Sequence, residues 1–166
     1  METTKQPLIT VVMPNYNGHR FVEQAIDSVL NQTYPNFELL VVDDCSKDDS
    51  LSLIQHKAQS DKRIKVIALE HNAGVANARN VGIKEAKGEF IALLDNDDLW
   101  TEDKLERQLA LANKGADIVY CSYDFIDEQN NSIKKPFIVP QQTNFNKMLA
   151  SSVISLSLIH ISEPTR

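Results

Sequence analysis

Three short clusters of polar and acidic side chains contain the residue types that could do chemistry in this chain. They are Pro14-Asn15-Tyr16-Asn17, Asp43-Asp44-Cys45-Ser46 and Asp95-Asn96-Asp97-Asp98. Each cluster follows a short apolar run that is typical of a buried strand. Ligands of open α/β sheets bind at the carboxyl ends of the strands, so we expect the three clusters to meet at one site.

The third cluster is the candidate metal site. Asp95, Asp97 and Asp98 lie within four residues of one another, and such close carboxylates repel each other unless a cation lies among them. Mg²⁺ or Mn²⁺ bound by one or two carboxylates, with substrate phosphates as further ligands, would relieve that repulsion. The alternative is a solvated acidic loop that caps a helix starting near Thr101. Both interpretations remain open at this point.

The first two clusters contain groups suited to a nucleotide base. A carboxylate at the end of a strand, such as Asp43 or Asp44, is suited to accept a hydrogen bond from a base N–H. Tyr16 offers a flat face for stacking, and its polar neighbours disfavour burial in the core. The alternative for the acidic pair is a role at the start of a helix, although Asp48 and Asp49 are better placed for that.

Arg79 is the candidate cation of this site. It follows Asn72-Ala73-Gly74 in a segment that is predicted to begin a helix, and its guanidinium could pair with the carboxylates or with a phosphate. Val75, Ala78, Gly82 and Ile83 are predicted to form an inward-facing stripe beside it. That stripe disfavours the alternative of an ordinary surface arginine.

Strand-like apolar runs alternate with helical patterns along the chain. The predicted strands are 8–13, 37–42, 64–69, 89–94 and 116–121, and the predicted helices are 20–31, 48–60, 75–87 and 101–114. Continuous apolar strands alternating with helices predict a mostly parallel sheet covered on both faces, a Rossmann-like three-layer α/β/α fold. A looser stretch at 133–139 is predicted to be an edge strand.

Composition limits the classes of function. A chain of 166 residues with 42% hydrophobic side chains can bury one core, and its net charge of −6 without a Lys/Arg cluster argues against a nucleic-acid partner. Cys45 and Cys121 are far apart, so we expect neither a disulfide framework nor a zinc site. No apolar run reaches the roughly 18 residues of a membrane span, and no signal peptide is evident. We expect a cytoplasmic protein, at most at the inner face of the cell membrane.

The order of these motifs resembles the inverting family 2 glycosyltransferases of GT-A fold. The matching segments are Val12-Met13-Pro14-Asn15-Tyr16-Asn17, Val41-Val42-Asp43-Asp44-Cys45-Ser46-Lys47-Asp48, Asn72-Ala73-Gly74 with Ala78-Arg79-Asn80, and Leu94-Asp95-Asn96-Asp97-Asp98. Each motif alone is weak, but four in order are a specific signal, which covers residues 9–123 closely. The resemblance implies transfer of a sugar from a UDP-linked nucleotide-diphosphate sugar to an acceptor hydroxyl, with inversion, in cell-surface polysaccharide or glycan synthesis.

The resemblance also implies roles for individual residues. Tyr16 would stack on the base, with Pro14 shaping the same wall, while Asp43 would accept from the base and Arg79 would brace it. The full set implied to bind the donor is Pro14, Tyr16, Asn17, Asp43, Asp44, Arg79, Asp95 and Asn96.

In the same resemblance, Asp95-Asn96-Asp97 is the Asp-x-Asp motif. Asp95 would face the ribose, Asp97 would bind the Mn²⁺ or Mg²⁺ that bridges the diphosphate, and Asp98 would support the acceptor side. One departure is Cys45, where the family commonly has Gly. If the backbone requires a positive φ there, a cysteine reduces stability.

The family's general base, a downstream acidic residue, lies beyond where this chain ends, so no residue here is assigned that role. We therefore expect a partial donor-binding domain over residues 1–156 and a non-native tail over residues 157–166. The alternatives are a truncated, non-catalytic nucleotide-sugar-binding module and a phospho-receiver-like signalling domain. A receiver domain would carry its acidic pair after the first strand, whereas Asp43 and Asp44 follow the second.

Overall fold

A computed structural model describes residues 6–141, 143 and 159–161. The strands are β1 (Ile9–Asn15), β2 (Phe37–Asp43), β3 (Ile64–Ala68), β4 (Phe90–Leu93), β5 (Ile118–Val119) and β6 (Ile159–Ile161). The helices are α1 (Val22–Leu30), α2 (Ser50–Ser60), α3 (Val75–Glu85) and α4 (Lys104–Ala112). The predicted alternation of strands and helices is confirmed from β1 to α4, with boundaries that differ by only a few residues.

The strands form one sheet of six strands in the order β3-β2-β1-β4-β6-β5. β1 pairs in parallel with β2 and β4, and β2 pairs in parallel with β3, whereas β6 is antiparallel to both β4 and β5. This mostly parallel sheet confirms the predicted α/β fold class. The register places Asn15 opposite Asp43, so the first two polar clusters lie at the same edge of the sheet.

Both faces of the sheet are covered by helices. On one face, Val11 and Met13 of β1 belong to the same buried core as Ile26 of α1. On the other face, α3 approaches so closely that a Cβ at Gly82 would lie 2.4 Å from Cγ1 of Val12. Glycine at this position therefore lets α3 pack directly on β1, which brings the first turns of α3 to the carboxyl ends of the strands.

The prediction of an edge strand at 133–139 is wrong. Phe137 instead forms an isolated antiparallel bridge with Tyr123, and a second bridge joins Ile126 to Ser132, so the segment pairs locally outside the sheet. Pro136 has no backbone N–H to donate, which makes this segment a poor partner for a long ladder. The apolar run reflects this local hairpin rather than the central sheet.

The predicted strand at 116–121 is shorter than expected and does not lie next to β4. Only Ile118–Val119 forms a strand, and β6 lies between it and β4. β6 falls within residues 157–166, whose non-native origin stays a prediction, and the domain boundary at residue 156 lies outside the described residues. Within the described part of the chain, none of the helices α1 to α4 has the length and hydrophobicity of a membrane-spanning segment.

Candidate functional site

A cavity of about 470 Å³ opens where the carboxyl ends of β1 and β2 meet the loop after β4 and the first turns of α3. The residues that the sequence predicted for the site and that line it are Pro14, Tyr16, Asp44, Arg79, Asp95, Asn96 and Asp97. The other lining residues are Asn15, Asn72, Gly74, Val75 and Ala78. The three polar clusters therefore meet at one place, as the order of strands predicted.

Tyr16 forms an open wall of the cavity. The residue is 48% exposed, whereas the preceding residues of β1 are buried. A ring in this position presents a flat apolar face next to polar groups, which is the environment in which a planar heterocycle stacks. The prediction that Tyr16 lies outside the core is confirmed.

Asp44 lies at the base of the cavity and anchors the loop before α3. Its carboxylate oxygens accept hydrogen bonds from the backbone N–H groups of Ala73 and Gly74, at 2.9 and 2.8 Å. The side chain of Asn72 donates to the backbone oxygen of Asp44 at 3.1 Å. Since Gly74 has a φ of 88°, a conformation that favours glycine, this loop is built for its sharp turn into α3.

Asp43 and Asn17 do not line the cavity, contrary to their predicted places in the donor site. Asp43 is 1% exposed, and its oxygens accept from Nδ2 of Asn15 at 2.7 Å and from the hydroxyl and backbone N–H of Ser46 at 2.5 and 3.0 Å. Asn17 accepts from the backbone N–H of Lys47 at 2.8 Å. These hydrogen bonds help to shape the loop after β2.

That loop contains Cys45, the position where the resembled family commonly has glycine. Its φ is 61°, in the left-handed region that disfavours a side chain, so a cysteine stands where glycine would be less strained. The thiol lies 3.2 Å from Nζ of Lys47 and 3.6 Å from the backbone oxygen of Glu70. These contacts attach the strained turn to its neighbours.

Arg79 pairs with a carboxylate of the third cluster. One of its Nη atoms lies 2.5 Å from Asp95 Oδ1, and the two side chains are 15% and 34% exposed. The buried Nε of Arg79 has no hydrogen-bond partner among the described residues. The cavity thus contains a cation that is held in place by Asp95.

Asp97, which lines the cavity, and the next residue, Asp98, which does not, form an acidic rim. No described residue hydrogen-bonds to the Asp97 carboxylate, which faces the cavity. Partial burial, together with the charges of Asp97 and Asp95, raises the pKa of Asp98, while Lys104 opposes the rise. The rim therefore carries more negative charge than its protein neighbours neutralise.

The acidic rim fits a divalent cation only together with a ligand. Among the described residues, no group of three or more His, Cys, Asp or Glu side chains is arranged to hold a metal. Mg²⁺ and Mn²⁺ are often bound by one or two carboxylates, with phosphate oxygens and water completing the shell. The chemistry of Asp97 suits that arrangement, in which the ligand's phosphates supply the remaining oxygens.

The sequence assigned no role to two residues that contact this region. Asn15 continues the buried pattern of β1 at 1% exposure although it is polar, which is the signal that could have revealed it. Lys104 is 7% exposed; burial lowers its pKa, whereas Cys121 and Asp98 act in the opposite direction. Its ammonium lies 3.0 Å from Oε1 of Gln108, one helical turn later.

Comparison with families of known proteins matches residues 10–158 to glycosyl transferase family 2. One relative is the UDP-Glc:alpha-D-GlcNAc-diphosphoundecaprenol beta-1,3-glucosyltransferase WfgD of Escherichia coli. It is 43% identical over 143 residues, which cover 86% of this chain and 55% of WfgD. The family match therefore extends over all three polar clusters.

Two solved structures share the fold. Staphylococcus aureus TarS 1-349 in complex with UDP superposes with a TM-score of 0.72 at 25% identity, covering 92% of this chain and 46% of the 1-349 chain. The mannosyltransferase PcManGT of Pyrobaculum calidifontis, in complex with GDP-Man and Mn²⁺, gives 0.66 at 30% identity, covering 71% and 36%. The chain spans about half the length of WfgD and of TarS 1-349, and it belongs to glycosyl transferase family 2.

Proposed function

We propose that this chain is the donor-binding part of a glycosyltransferase that transfers a sugar from a UDP-linked nucleotide sugar to an acceptor hydroxyl, with inversion and with Mn²⁺ or Mg²⁺. The observation that carries the proposal is the meeting of Tyr16, Arg79 and Asp97 in one cavity of about 470 Å³. The aromatic face of Tyr16 suits the base, Arg79 holds Asp95 toward the ribose, and the unpaired carboxylate of Asp97 suits the metal of such a donor.

In the proposed complex the base lies against the exposed ring of Tyr16, and Pro14 shapes the same wall of the cavity. We assign the hydrogen bond from the base to Asp44 rather than Asp43, because only Asp44 lines the cavity. Each Asp44 oxygen accepts one backbone N–H, and a carboxylate oxygen can accept a second hydrogen bond.

The diphosphate side of the donor is proposed to lie along the third cluster. Asp95, held by Arg79, faces the ribose, and Asp97 holds the metal against the phosphates. The metal, when bound, neutralises charge on the departing nucleoside diphosphate. Asp98 lies toward the acceptor. A general base must still deprotonate the acceptor hydroxyl, and none of the described residues is assigned that role.

The proposed acceptor is a hydroxyl of a growing glycan. WfgD is named for glucosyl transfer to a GlcNAc unit on diphosphoundecaprenol, and TarS is solved with UDP and with UDP-GlcNAc. These names support a UDP-sugar as the donor and a glycan in cell-surface polymer synthesis as the product. The active protein is proposed to work in the cytoplasm or at the inner face of the cell membrane.

Calorimetric titration of UDP tests the donor site. We expect UDP to bind more tightly with Mn²⁺ than with EDTA, and Asp97→Asn to abolish that difference. The matched control is Asp27→Asn, which changes an exposed carboxylate on α1 that pairs with Lys57 far from the cavity. Equal UDP affinity with and without Mn²⁺ in the unaltered chain, or an unchanged Mn²⁺ effect in Asp97→Asn, would contradict the proposal.

A further inference from the structure

The carboxamide of Asn15 connects the strand ends that form the cavity. Its Nδ2 lies 2.7 Å from Oδ1 of Asp43 and 3.0 Å from the hydroxyl of Ser50, and its Oδ1 accepts from Nδ2 of Asn96 at 2.8 Å. The residue is 1% exposed, so water does not replace these partners. One side chain at the end of β1 therefore contacts both the loop after β2 and the loop after β4.

The orientation of this carboxamide is fixed by its surroundings. The Asp43 carboxylate only accepts hydrogen bonds, so the amide nitrogen of Asn15 must face it. The amide oxygen must then face Asn96, which is the middle residue of the Asp95-Asn96-Asp97 segment. The Asn15 oxygen therefore accepts a hydrogen bond from the amide nitrogen of Asn96.

Gly18 provides the space for this contact. A Cβ at Gly18 would lie 2.2 Å from Oδ1 of Asn15 and 2.3 Å from Nδ2 of Asn96, closer than real atoms approach. The backbone oxygen of Gly18 also accepts from the N–H of Val22 at the start of α1, which fixes the glycine in place. The absence of a side chain at Gly18 thus leaves room for the hydrogen bond between the carboxamides of Asn15 and Asn96.

We propose that Asn15 is a positioning residue for the metal and diphosphate subsite, acting through Asn96 on the adjacent Asp97. This inference rests on the proposed function, in which Asp97 is the metal ligand. Asp97 has no hydrogen bond to any described residue, so its location depends on the backbone on either side of it. Anchoring Asn96 lowers the cost of ordering that backbone when the donor and the metal bind.

Hydrogen exchange of the unliganded chain tests the structural half of the proposal. We expect Asn96→Ala to increase the exchange of the Asp98 amide, the one amide at 95–98 with a hydrogen bond to a described residue (Asp95 O, at 3.2 Å), by about tenfold. Gly18→Ala should act in the same direction, because it retains both amides and intrudes between them. The matched control is Thr10→Val, a buried polar change on the same strand at its other end, which should leave the exchange of the Asp98 amide unchanged. Unaltered exchange of the Asp98 amide in both Asn96→Ala and Gly18→Ala would overturn the proposal.

A double-mutant cycle tests the functional half. The measured quantity is the ratio of UDP affinities with Mn²⁺ and with EDTA. We expect Asn15→Ala and Asn96→Ala each to reduce this ratio by about three- to tenfold. The double variant should reduce it no further than Asn15→Ala alone, because Asn15→Ala already removes the contact with Asn96. Additive reductions, or a ratio unchanged in Asn96→Ala, would overturn the positioning role.

The two measurements separate this inference from the proposed function. If the unaltered chain shows no Mn²⁺-dependent UDP binding, the proposed function fails, yet hydrogen exchange still decides whether Asn15 holds the segment. If exchange rises and the Mn²⁺ effect on UDP does not change, the amide pair is structural only. Faster exchange together with a reduced Mn²⁺ effect supports both.

Discussion

Polar side chains lie at both ends of the parallel strands, in an amino-end cluster around Glu38 and a carboxyl-end cluster around Asp97. The two differ in how completely their charges are paired. At the amino end, Glu38 is 6% exposed and accepts from Thr10, Lys65 and the backbone N–H of Lys87, at 2.7, 2.5 and 2.9 Å. At the carboxyl end, the Asp97 carboxylate has no hydrogen bond to a described residue. The amino-end cluster is complete within the protein, whereas the carboxyl-end cluster leaves a carboxylate without a partner among the described residues.

The pKa shifts of the two clusters have opposite directions. Burial alone would raise the pKa of Glu38, but hydrogen bonds from Lys65, Thr10 and Lys87 outweigh it and lower the pKa. For Asp98, burial and the neighbouring carboxylates both raise the pKa. Acidic residues thus stabilise the fold at the amino end of the strands and repel one another in the loop at the carboxyl end. Such unrelieved repulsion is typical of functional sites.

We expect the greatest loss of stability from a change in the amino-end cluster. Glu38→Ala removes the shared acceptor of a buried network and leaves its donors unpaired, so we expect the free energy of unfolding to fall by about 3 kcal/mol. Urea denaturation measures this. The Mn²⁺ effect on UDP affinity should persist, and a loss of less than about 0.5 kcal/mol would show that the network is not structural.

The corresponding experiment at the carboxyl end changes Asp97. Asp97→Asn should reduce UDP affinity in Mn²⁺ by at least about tenfold, or 1.4 kcal/mol. Its free energy of unfolding should stay equal or increase, because one repelling carboxylate is removed. A clear decrease in stability would indicate that Asp97 supports the fold, and the contrast between the clusters would disappear.

A smaller effect is expected in the pH dependence of stability. Because the pKa of Glu38 is lowered below its ordinary value of 4.5, its stabilising contribution is present above that pH and is lost as pH falls through the folded-state pKa. Asp98 has the opposite sign, with stability lost as pH rises through its raised pKa. Glu38→Gln should therefore flatten the loss of stability below about pH 4.5, which urea denaturation at several pH values measures. A curve parallel to that of the unaltered chain would contradict this assignment.

The smallest effect is expected away from both clusters. Lys57 and Asp27 form an ion pair at 2.6 Å between α2 and α1, with side chains that are 23% and 49% exposed. Solvent screens such a pair, so Asp27→Asn should change the free energy of unfolding by less than about 0.5 kcal/mol. A larger change by the same denaturation assay would mean that carboxylate pairing stabilises this fold generally, and not only at Glu38.

Much of the fold and the meeting of the three clusters could be predicted, because both follow from strand order. The choice between Asp43 and Asp44 could not. It depends on where β2 ends and on the left-handed turn at Cys45, which together direct one carboxylate into the loop network and the other into the cavity.

Pairing between segments far apart in the chain could not be predicted from the sequence either. β6 pairs with β4 although some 65 residues separate them, and no local pattern encodes such a partner. The segment at 133–139 shows the converse, since its apolar residues pair with the nearby Tyr123 rather than with the sheet. The amide pair of Asn15 and Asn96 joins loops 81 positions apart, so spacing along the chain did not reveal it.

We propose that the carboxyl-end cluster, and not the amino-end cluster, binds a nucleotide with a divalent metal. The most direct test is titration of UDP, with Mn²⁺ and with EDTA, into the unaltered chain, Asp97→Asn and Glu38→Gln. We predict that Mn²⁺ strengthens UDP binding in the unaltered chain and in Glu38→Gln but not in Asp97→Asn. Equal Mn²⁺ effects in the two variants, or none in the unaltered chain, would contradict the claim.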